Sequence, residues 1–156
     1  MEFRQFISIL PAFEGLTNEE LDALLQVLHY EPHIDGHAFF TQGGPQAGMY
    51  VLLDGGVRVS HYDDAGTAVD TQELRSGDVF GLLGLVEDMP ATATAKAVGP
   101  TGVVTLNREG FLWLGAAAPA LAQRLEYMVA VQLARELQLR NRLIRARLRG
   151  EAAATA

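Results

Sequence analysis

Glycines and small residues dominate positions 77–97, in an order typical of a loop that can bind an anion. Gly77 and Asp78 predict a turn after an extended segment, and Gly81 has no side chain to keep a ligand or a second backbone segment away. Residues 82–86 predict one short helical turn, whose unpaired N–H groups could cradle a phosphate. A plain connection between two strands remains the alternative, because short glycine loops are common.

Two histidines are the other side chains whose spacing could support a chemical role, namely metal binding. His33 and His37 lie four residues apart with Asp35 between them, which suggests a metal site. Pro32 and Gly36 argue against a helix there, so the two rings would not share a helical face. We therefore expect solvated loop histidines and no metal. The chain has no cysteine, which excludes disulfides and thiolate chemistry. No catalytic set can be nominated, and no enzyme is predicted.

Composition predicts one globular domain. The chain has 156 residues, of which 49% are apolar and 20% are charged. This balance is that of a folded protein with a substantial core. No apolar run approaches the roughly 18 residues of a membrane span, and the first residues lack the basic start of a signal peptide. We expect a cytoplasmic protein that does not bind a membrane.

Sequence periodicity predicts helices at both ends and strands between them. Residues 1–31 contain an amphipathic helix over positions 2–10, stopped by Pro11, and a second helix that begins at Thr17. Thr17 and Glu20 have the spacing of a capping box. Residues 32–107 show strand patterns separated by glycine turns, at 34–40, 49–53, 57–62, 67–74, 92–98 and 103–106. The expected fold is mainly β, an antiparallel β-roll of about eight strands, similar to a jelly roll.

Residues 108–149 predict a short helix from Arg108 and then a long one from about residue 120 to 149, with a frayed end after Gly150. The apolar residues of the long helix form two adjacent stripes, Leu121, Leu125, Val129, Leu139 and Leu143 in one and Leu133, Leu137, Ile144 and Leu148 in the other. The opposite face is predicted to hold Arg124, Arg135, Arg142, Arg145 and Arg149. Because this apolar arc exceeds what packing on one small roll requires, we predict a homodimer along residues 121–144.

Charge is unevenly distributed along the chain. The net charge is −7, yet six of the eleven arginines lie within residues 135–149. These arginines could complement the dipole at the helix C-terminus, bind an acidic partner protein, or contact nucleic-acid phosphates. The sequence leaves the three readings open.

The loop pattern closely resembles the phosphate-binding cassette of cyclic nucleotide-binding domains, in which G-D-x-F-G is followed about ten residues later by P-x-T-A. Here the pattern runs from Gly77 to Ala93. The likeness extends to residues 10–21 and to residues 50–59, where Gly55 matches a turn glycine. These domains are the sensory parts of catabolite-activator-type regulators, gated channels and kinase regulatory subunits. The resemblance implies a β-roll, short helices before it, and a long C-terminal helix that pairs with its twofold mate.

Two departures distinguish the chain from the family pattern. Leu82 stands where the resemblance implies a glutamate for the ribose hydroxyl, and Ala91 where it implies an arginine for the phosphate. Lys96 is the nearby residue that could replace the missing charge. The ligand-binding residues implied by the resemblance are Phe80, Gly81, Leu82, Leu83, Gly84, Ala91, Thr92 and Ala93. We therefore predict weak or no binding of cyclic AMP and cyclic GMP.

The predicted function is a regulatory or sensory domain that dimerises through its C-terminal helix and signals to an unknown partner. Its ligand would be a cyclic nucleotide or another small anion. One alternative is a ligand-free structural module that only dimerises and docks. A second alternative is a true cyclic nucleotide binder that uses atypical residues. Family regulators bind DNA through a domain after the long helix, and direct sequence-specific DNA binding is not expected here.

Overall fold

The computed structural model describes the backbone of residues 3–155 and the side chains of residues 3–150, so position 2 of the predicted first helix lies outside the described residues. The helices are α1 (Phe3–Ile9), α2 (Asn18–Val27), α3 (Arg108–Ala117) and α4 (Pro119–Thr155). The strands are β1 (His29–His33), β2 (Ala38–Phe40), β3 (Gly48–Tyr62), β4 (Ala68–Leu74), β5 (Val79–Phe80) and β6 (Thr94–Asn107). Two short 3₁₀ helices cover Pro11–Phe13 and Leu82–Leu85.

The N-terminal helices form where the sequence predicts them. Thr17 caps α2, with its hydroxyl accepting from the Glu20 amide at 3.1 Å. The Glu20 carboxylate accepts from the Thr17 amide at 3.0 Å, which completes the predicted capping box. Leu21 and Leu24 are then buried on the inner face of α2.

The strands form one antiparallel sheet in the order β1-β6-β3-β4, with β2 added to β6 and β5 added to β3. This confirms the predicted fold class, although the described residues contain six strands instead of about eight. The predicted strands 49–53 and 57–62 are one strand, β3, because Gly55 adopts a left-handed conformation (φ +83°) and the pairing with β6 shifts register without ending. The predicted strands 92–98 and 103–106 are likewise one strand, β6.

The predicted strand at 34–40 is wrong in its limits. The chain is extended earlier, in β1, and turns at residues 34–37, where the His37 amide donates to the Ile34 carbonyl at 3.2 Å. Pro32 is tolerated within β1 because that strand lies at an edge of the sheet and pairs with β6 alone.

Two apolar clusters hold the fold together. One lies between the helices and the roll and contains Leu24, Leu106, Leu114, Leu121 and Leu125 among its buried members. The other fills the interior of the roll and includes Phe40, Leu52, Phe80 and Val103. Among residues 3–155, no helix combines the length and the apolar character of a membrane span.

Helix α4 begins at Pro119, close to the predicted start near residue 120, and differs from the prediction at its C-terminal end. It continues through Gly150 to Thr155, beyond the predicted end near residue 149. Its first apolar residues, Leu121, Leu125 and Val129, are buried in the chain's own core. Leu137 and Leu148 are each 60% exposed. The dimer predicted along residues 121–144 stays a prediction, and the side chains exposed for such a contact lie beyond these first three.

Candidate functional site

The cassette begins with a turn that is tied to β3. The Gly77 amide donates to the Leu52 carbonyl at 2.7 Å, and the Asp78 carbonyl accepts from the Leu52 amide at 2.9 Å. Asp78 also accepts the Arg75 amide through its carboxylate at 2.8 Å. These bonds place β5 against Tyr50 and Val51 of β3. The turn predicted from Gly77 and Asp78 is therefore present.

Gly81 redirects the chain from β5 into the Leu82–Leu85 3₁₀ helix. It adopts a left-handed conformation (φ +70°), and a Cβ atom there would lie 2.9 Å from a ring carbon of Phe40 and 3.1 Å from one of Tyr50. Glycine is thus required by both backbone angle and space. The short helical turn predicted for residues 82–86 is confirmed.

Two of the predicted site residues pack away from the space beside the cassette. A Cβ atom on Gly84 would lie 2.2 Å from the Gly48 carbonyl oxygen, and the Gly84 amide already donates to the Gly81 carbonyl at 2.9 Å. Ala91 is 4% exposed and belongs to the apolar interior of the roll. Its amide and carbonyl both bond the loop at Gly43 and Gly44.

Arg108, at the start of α3, also supports the cassette. Its guanidinium donates to the Gly84 carbonyl at 3.0 Å and to the Gln46 carbonyl at 2.6 Å. This arginine fixes the end of the 3₁₀ turn, and sequence reasoning did not assign it a role.

A cavity of about 280 Å³ lies between the cassette and α4. This volume is at the lower edge of the roughly 300–1,000 Å³ that small-molecule sites occupy. The predicted site residues that line it are Phe80, Gly81, Leu82, Leu83, Thr92 and Ala93. On the roll side most of the lining residues are apolar, and the polar ones are Gln46, Gln72, Asp78 and Thr92.

The opposite wall comes from α4. Gln132, Arg135 and Glu136 line the cavity, and sequence reasoning assigned none of them to the site. The predicted position of Arg135 on a face opposite the apolar stripes is wrong, because the helix crosses the cassette at this point. The signal available in the sequence was the spacing of three polar side chains at i, i+3 and i+4, which share a helical face.

Glu136 joins α4 to the roll through His61 of β3. The His61 Nε2 lies 3.1 Å from both carboxylate oxygens of Glu136, and its Nδ1 lies 3.5 Å from Asp70. The His61 and Glu136 side chains are only 15% and 16% exposed. Gln132 donates to Glu136 at 3.1 Å, and Thr92 of the cassette lies close enough to this carboxylate to help lower its pKa.

This pairing shifts the pKa of each group. The hydrogen bond to Glu136 raises the pKa of His61, helped by the charges of Glu136 and Asp70 and opposed by burial. Burial acts to raise the pKa of Glu136, but the hydrogen bond and charge of His61, with bonds from Gln132 and Thr92, outweigh it and lower that pKa. The pair therefore favours the charged forms of both residues.

Residues 33–117 match the family model described as "Cyclic nucleotide-binding domain". This match spans more than half of the chain and includes the whole cassette. The chain belongs to the cyclic nucleotide-binding domain family. The family assignment agrees with the resemblance seen in the cassette residues and with the observed fold.

Similar proteins include the Cyclic AMP receptor protein of Thermus thermophilus, 30% identical over 79% of this chain and 57% of that protein. A cAMP-dependent protein kinase regulatory subunit of Dictyostelium discoideum is also 30% identical, over 70% of this chain and 34% of that protein. The crystal structure of the Thermus thermophilus Catabolite Activator Protein superposes with a TM-score of 0.73 at 31% identity, covering 86% of this chain and 62% of that one. The chain thus spans 57% and 34% of the length of these two sequence relatives.

Lys96 does not compensate for the departures from the family cassette. It is exposed on β6, between the buried residues Ala95 and Ala97, and it is not part of the cavity lining. Because side chains alternate along a strand, Lys96 faces away from the roll interior. The suggestion that Lys96 replaces the missing arginine is therefore not supported by its position.

The two histidines considered for a metal form a packed stack. The rings of His33 and His37 are 3.8 Å apart and nearly parallel, and both meet the edge of Phe39. His33 also pairs with Glu31 at 3.1 Å. The expectation of solvated loop histidines is wrong, since both rings are partly buried. Within the described part of the chain, no three histidine or acidic side chains cluster as metal ligands would.

Proposed function

We propose that this chain is a regulatory domain that binds a small nucleotide-like ligand in the cassette cavity and transmits its presence to α4. The observation that carries this proposal is that the cassette and α4 line the same cavity. A ligand there must contact both, so its binding free energy depends on the position of the helix. An enzymatic activity is not part of the proposal, because the relatives described above are named as a receptor, an activator and a regulatory subunit.

The cavity is built to bind cyclic AMP and cyclic GMP weakly. Hydrogen bonds to charged groups contribute roughly 1.5–3 kcal/mol each. Leu82 presents an apolar side chain to the cavity, and the Ala91 side chain offers no polar group. Loss of the two contacts that the family pattern implies costs on the order of a thousandfold in affinity.

The contact of His61 with Glu136 is the proposed route from the cavity to the helix. Glu136 lines the cavity together with cassette residues, and it bonds His61 of β3. A ligand that displaces or strengthens these bonds changes how firmly α4 is held against the roll. The rest of the helix beyond Glu136 would then move with it.

The second half of α4 is the proposed dimer contact. Leu137, Ile144 and Leu148 are at least half exposed, and they follow Glu136 along the same helix. Exposed apolar patches of this kind usually mark interfaces. We propose that a second copy of the chain covers these leucine and isoleucine side chains. A ligand-induced movement of α4 would alter the dimer contact, and the unknown partner would respond to the altered dimer.

A thermal-shift screen with cyclic AMP, cyclic GMP, cyclic dinucleotides and inorganic phosphate tests the ligand. A ligand that binds only the folded state raises the midpoint temperature, by an amount that grows with its concentration. We expect stabilisation only at high micromolar to millimolar concentrations of the cyclic mononucleotides. Stabilisation by none of the compounds, with a dimer mass in light scattering, would instead support the ligand-free dimerisation module. That alternative is favoured by one observation, the mostly apolar cassette wall.

A further inference from the structure

The cavity receives its positive charge from the helix and not from the cassette. Among the described residues that line it, Arg135 is the one basic side chain, and it projects from α4. We infer that Arg135 binds the anionic group of the ligand, so that this group faces α4 while the apolar part of the ligand packs against the cassette. The inference rests on the proposed function, since it requires that the cavity bind a ligand.

Arg135 is available for this role because the structure gives it no other partner. It makes no hydrogen bond or ion pair with any residue in the described part of the chain. Arg108 donates to two carbonyls, Arg124 donates to the Glu14 carbonyl at 2.6 Å, and Arg58 pairs with Glu73. A guanidinium carries five N–H donors in a planar fork that fits a phosphate or carboxylate.

The acidic residues of the lining are already engaged. Asp78 accepts the Arg75 amide at 2.8 Å, which holds its carboxylate in the turn. Glu136 is paired with His61 and accepts from Gln132. Their charges are therefore directed at protein groups, whereas the charge of Arg135 is not.

Arg135 is exposed to solvent and lines the cavity, so an anion from solution can reach it. Arg135 and Leu82 also line the neighbouring cleft that α4 forms with Leu10 and Ser76. Arg135 thus borders two adjoining spaces at the surface, and its exposed side chain can turn into either. Arg124 lines that cleft but not the cavity.

The apolar wall specifies the other end of the ligand. Phe40, Phe80 and Leu83 face the cavity, and Phe80 stacks on Tyr50 with ring centroids 5.0 Å apart. Flat rings pack well against such a surface. The ligand class is therefore a phosphate-bearing molecule of mononucleotide size, oriented with its phosphate toward α4.

The test compares Arg135→Gln with Arg142→Gln, a matched loss of charge on an exposed residue of the same helix that lies outside the cavity lining. Calorimetric titrations of the full chain use cyclic AMP and AMP, with adenosine as the probe that lacks the phosphate. We expect Arg135→Gln to weaken binding of both phosphate compounds by roughly 10- to 150-fold and to leave adenosine unchanged. Arg142→Gln should bind all three probes as the natural protein does, and Arg135→Lys should recover part of the affinity. Circular dichroism confirms that each variant is folded.

Two other outcomes are informative and distinct. Equal affinity of the natural protein and Arg135→Gln for the phosphate compounds would overturn this inference and leave the proposed function standing. A natural protein that binds none of the three probes would overturn the proposed function, and this inference with it. A falling affinity with rising salt in the natural protein, absent in Arg135→Gln, would further support a charge contact.

Discussion

The two walls of the cassette cavity differ in the kind of side chain they supply. The wall from the roll is mostly apolar, with Leu82, Leu83 and Ala93 facing inward. The wall from α4 is polar and contains Gln132, Arg135 and Glu136. In the family pattern that the cassette resembles, the roll itself supplies the charged contacts. Here the one basic side chain among the described lining residues, Arg135, comes from the helix.

In the proposed function, this difference makes ligand binding depend on the position of α4. The roll wall is held by strand pairing and by the Gly77 and Ala91 backbone bonds, and it cannot move without disturbing the sheet. The helix wall is held by the buried start of α4 and by the contact of Glu136 with His61. A ligand bound mainly by the helix wall is therefore sensitive to how α4 sits on the roll.

The largest expected effect comes from restoring a polar group to the roll wall. Leu82→Glu places a carboxylate on a residue that lines the cavity, and it should bind cyclic AMP roughly 10- to 150-fold more tightly than the natural protein because it regains one hydrogen bond to a charged group. Isothermal calorimetry measures the affinity, with Leu82→Gln as a control that adds a polar group without the charge. Micromolar binding by the natural protein would show that the side chains of the helix wall already supply the contact that an arginine makes in the family pattern.

The next effect concerns the anchoring of the helix wall. Leu125→Ala should destabilise the protein by about 2–5 kcal/mol, since its side chain is fully buried and its loss leaves a cavity. Leu137→Ala should change the unfolding free energy by less than about 0.5 kcal/mol at protein concentrations where the chain is a monomer. Urea titrations of both variants measure the difference. Similar losses of unfolding free energy in the two variants would mean that the two halves of α4 do not differ in burial.

Association is expected to depend on the half of α4 that lies beyond the helix wall. Leu137→Glu with Leu148→Glu should convert the proposed dimer to a monomer, because each buried leucine contributes roughly 1.5–3 kcal/mol to an interface. Light scattering at micromolar concentration gives the mass, and Arg142→Gln serves as a control on the same helix. A natural protein that is already monomeric would remove the dimer from the proposed function.

The smallest effect is the dependence of stability on pH through His61. Because the pKa of His61 is raised, its pair with Glu136 contributes fully to folding stability at pH values below the ordinary histidine pKa of 6.5. This contribution is lost as pH rises through the pKa of His61 in the folded state. The lowered pKa of Glu136 means that its carboxylate contributes to folding stability at pH values above the ordinary pKa of 4.5. This contribution is lost as pH falls through the pKa of Glu136 in the folded state. The natural protein should therefore lose about 2–4 °C more than His61→Gln between pH 6 and 9, for a contact of about 1 kcal/mol.

Differential scanning calorimetry across this range measures the effect. His37, whose pKa is lowered by burial and by His33, changes stability in the opposite direction and is common to both proteins. Asp70 faces His61 directly, and Asp63, Asp64, Arg140 and Arg147 line the groove beside it. If the midpoint temperature changes with pH identically in the natural protein and in His61→Gln, His61 stays neutral in this environment.

The sequence alone determined the features that depend on neighbouring residues. The capping box of Thr17 and Glu20, the turn from Arg75 to Asp78 and the helical turn after Gly81 each depend on hydrogen bonds between residues within a few positions of one another. The family pattern in the cassette added the order of elements and the place of the site. These local signals are readable because a short segment specifies its own hydrogen bonds and backbone angles.

The tertiary structure alone decided which distant residues complete the site. His61 and Glu136 are separated by 75 positions, and only the packing of α4 across the cassette brings them together. The outward face of Lys96 follows from strand register, which a one-residue shift would reverse. The stripes of α4 look alike in sequence, yet one end is buried and the other exposed. Burial depends on where the roll and the other helices end, and no pattern within the helix contains that information.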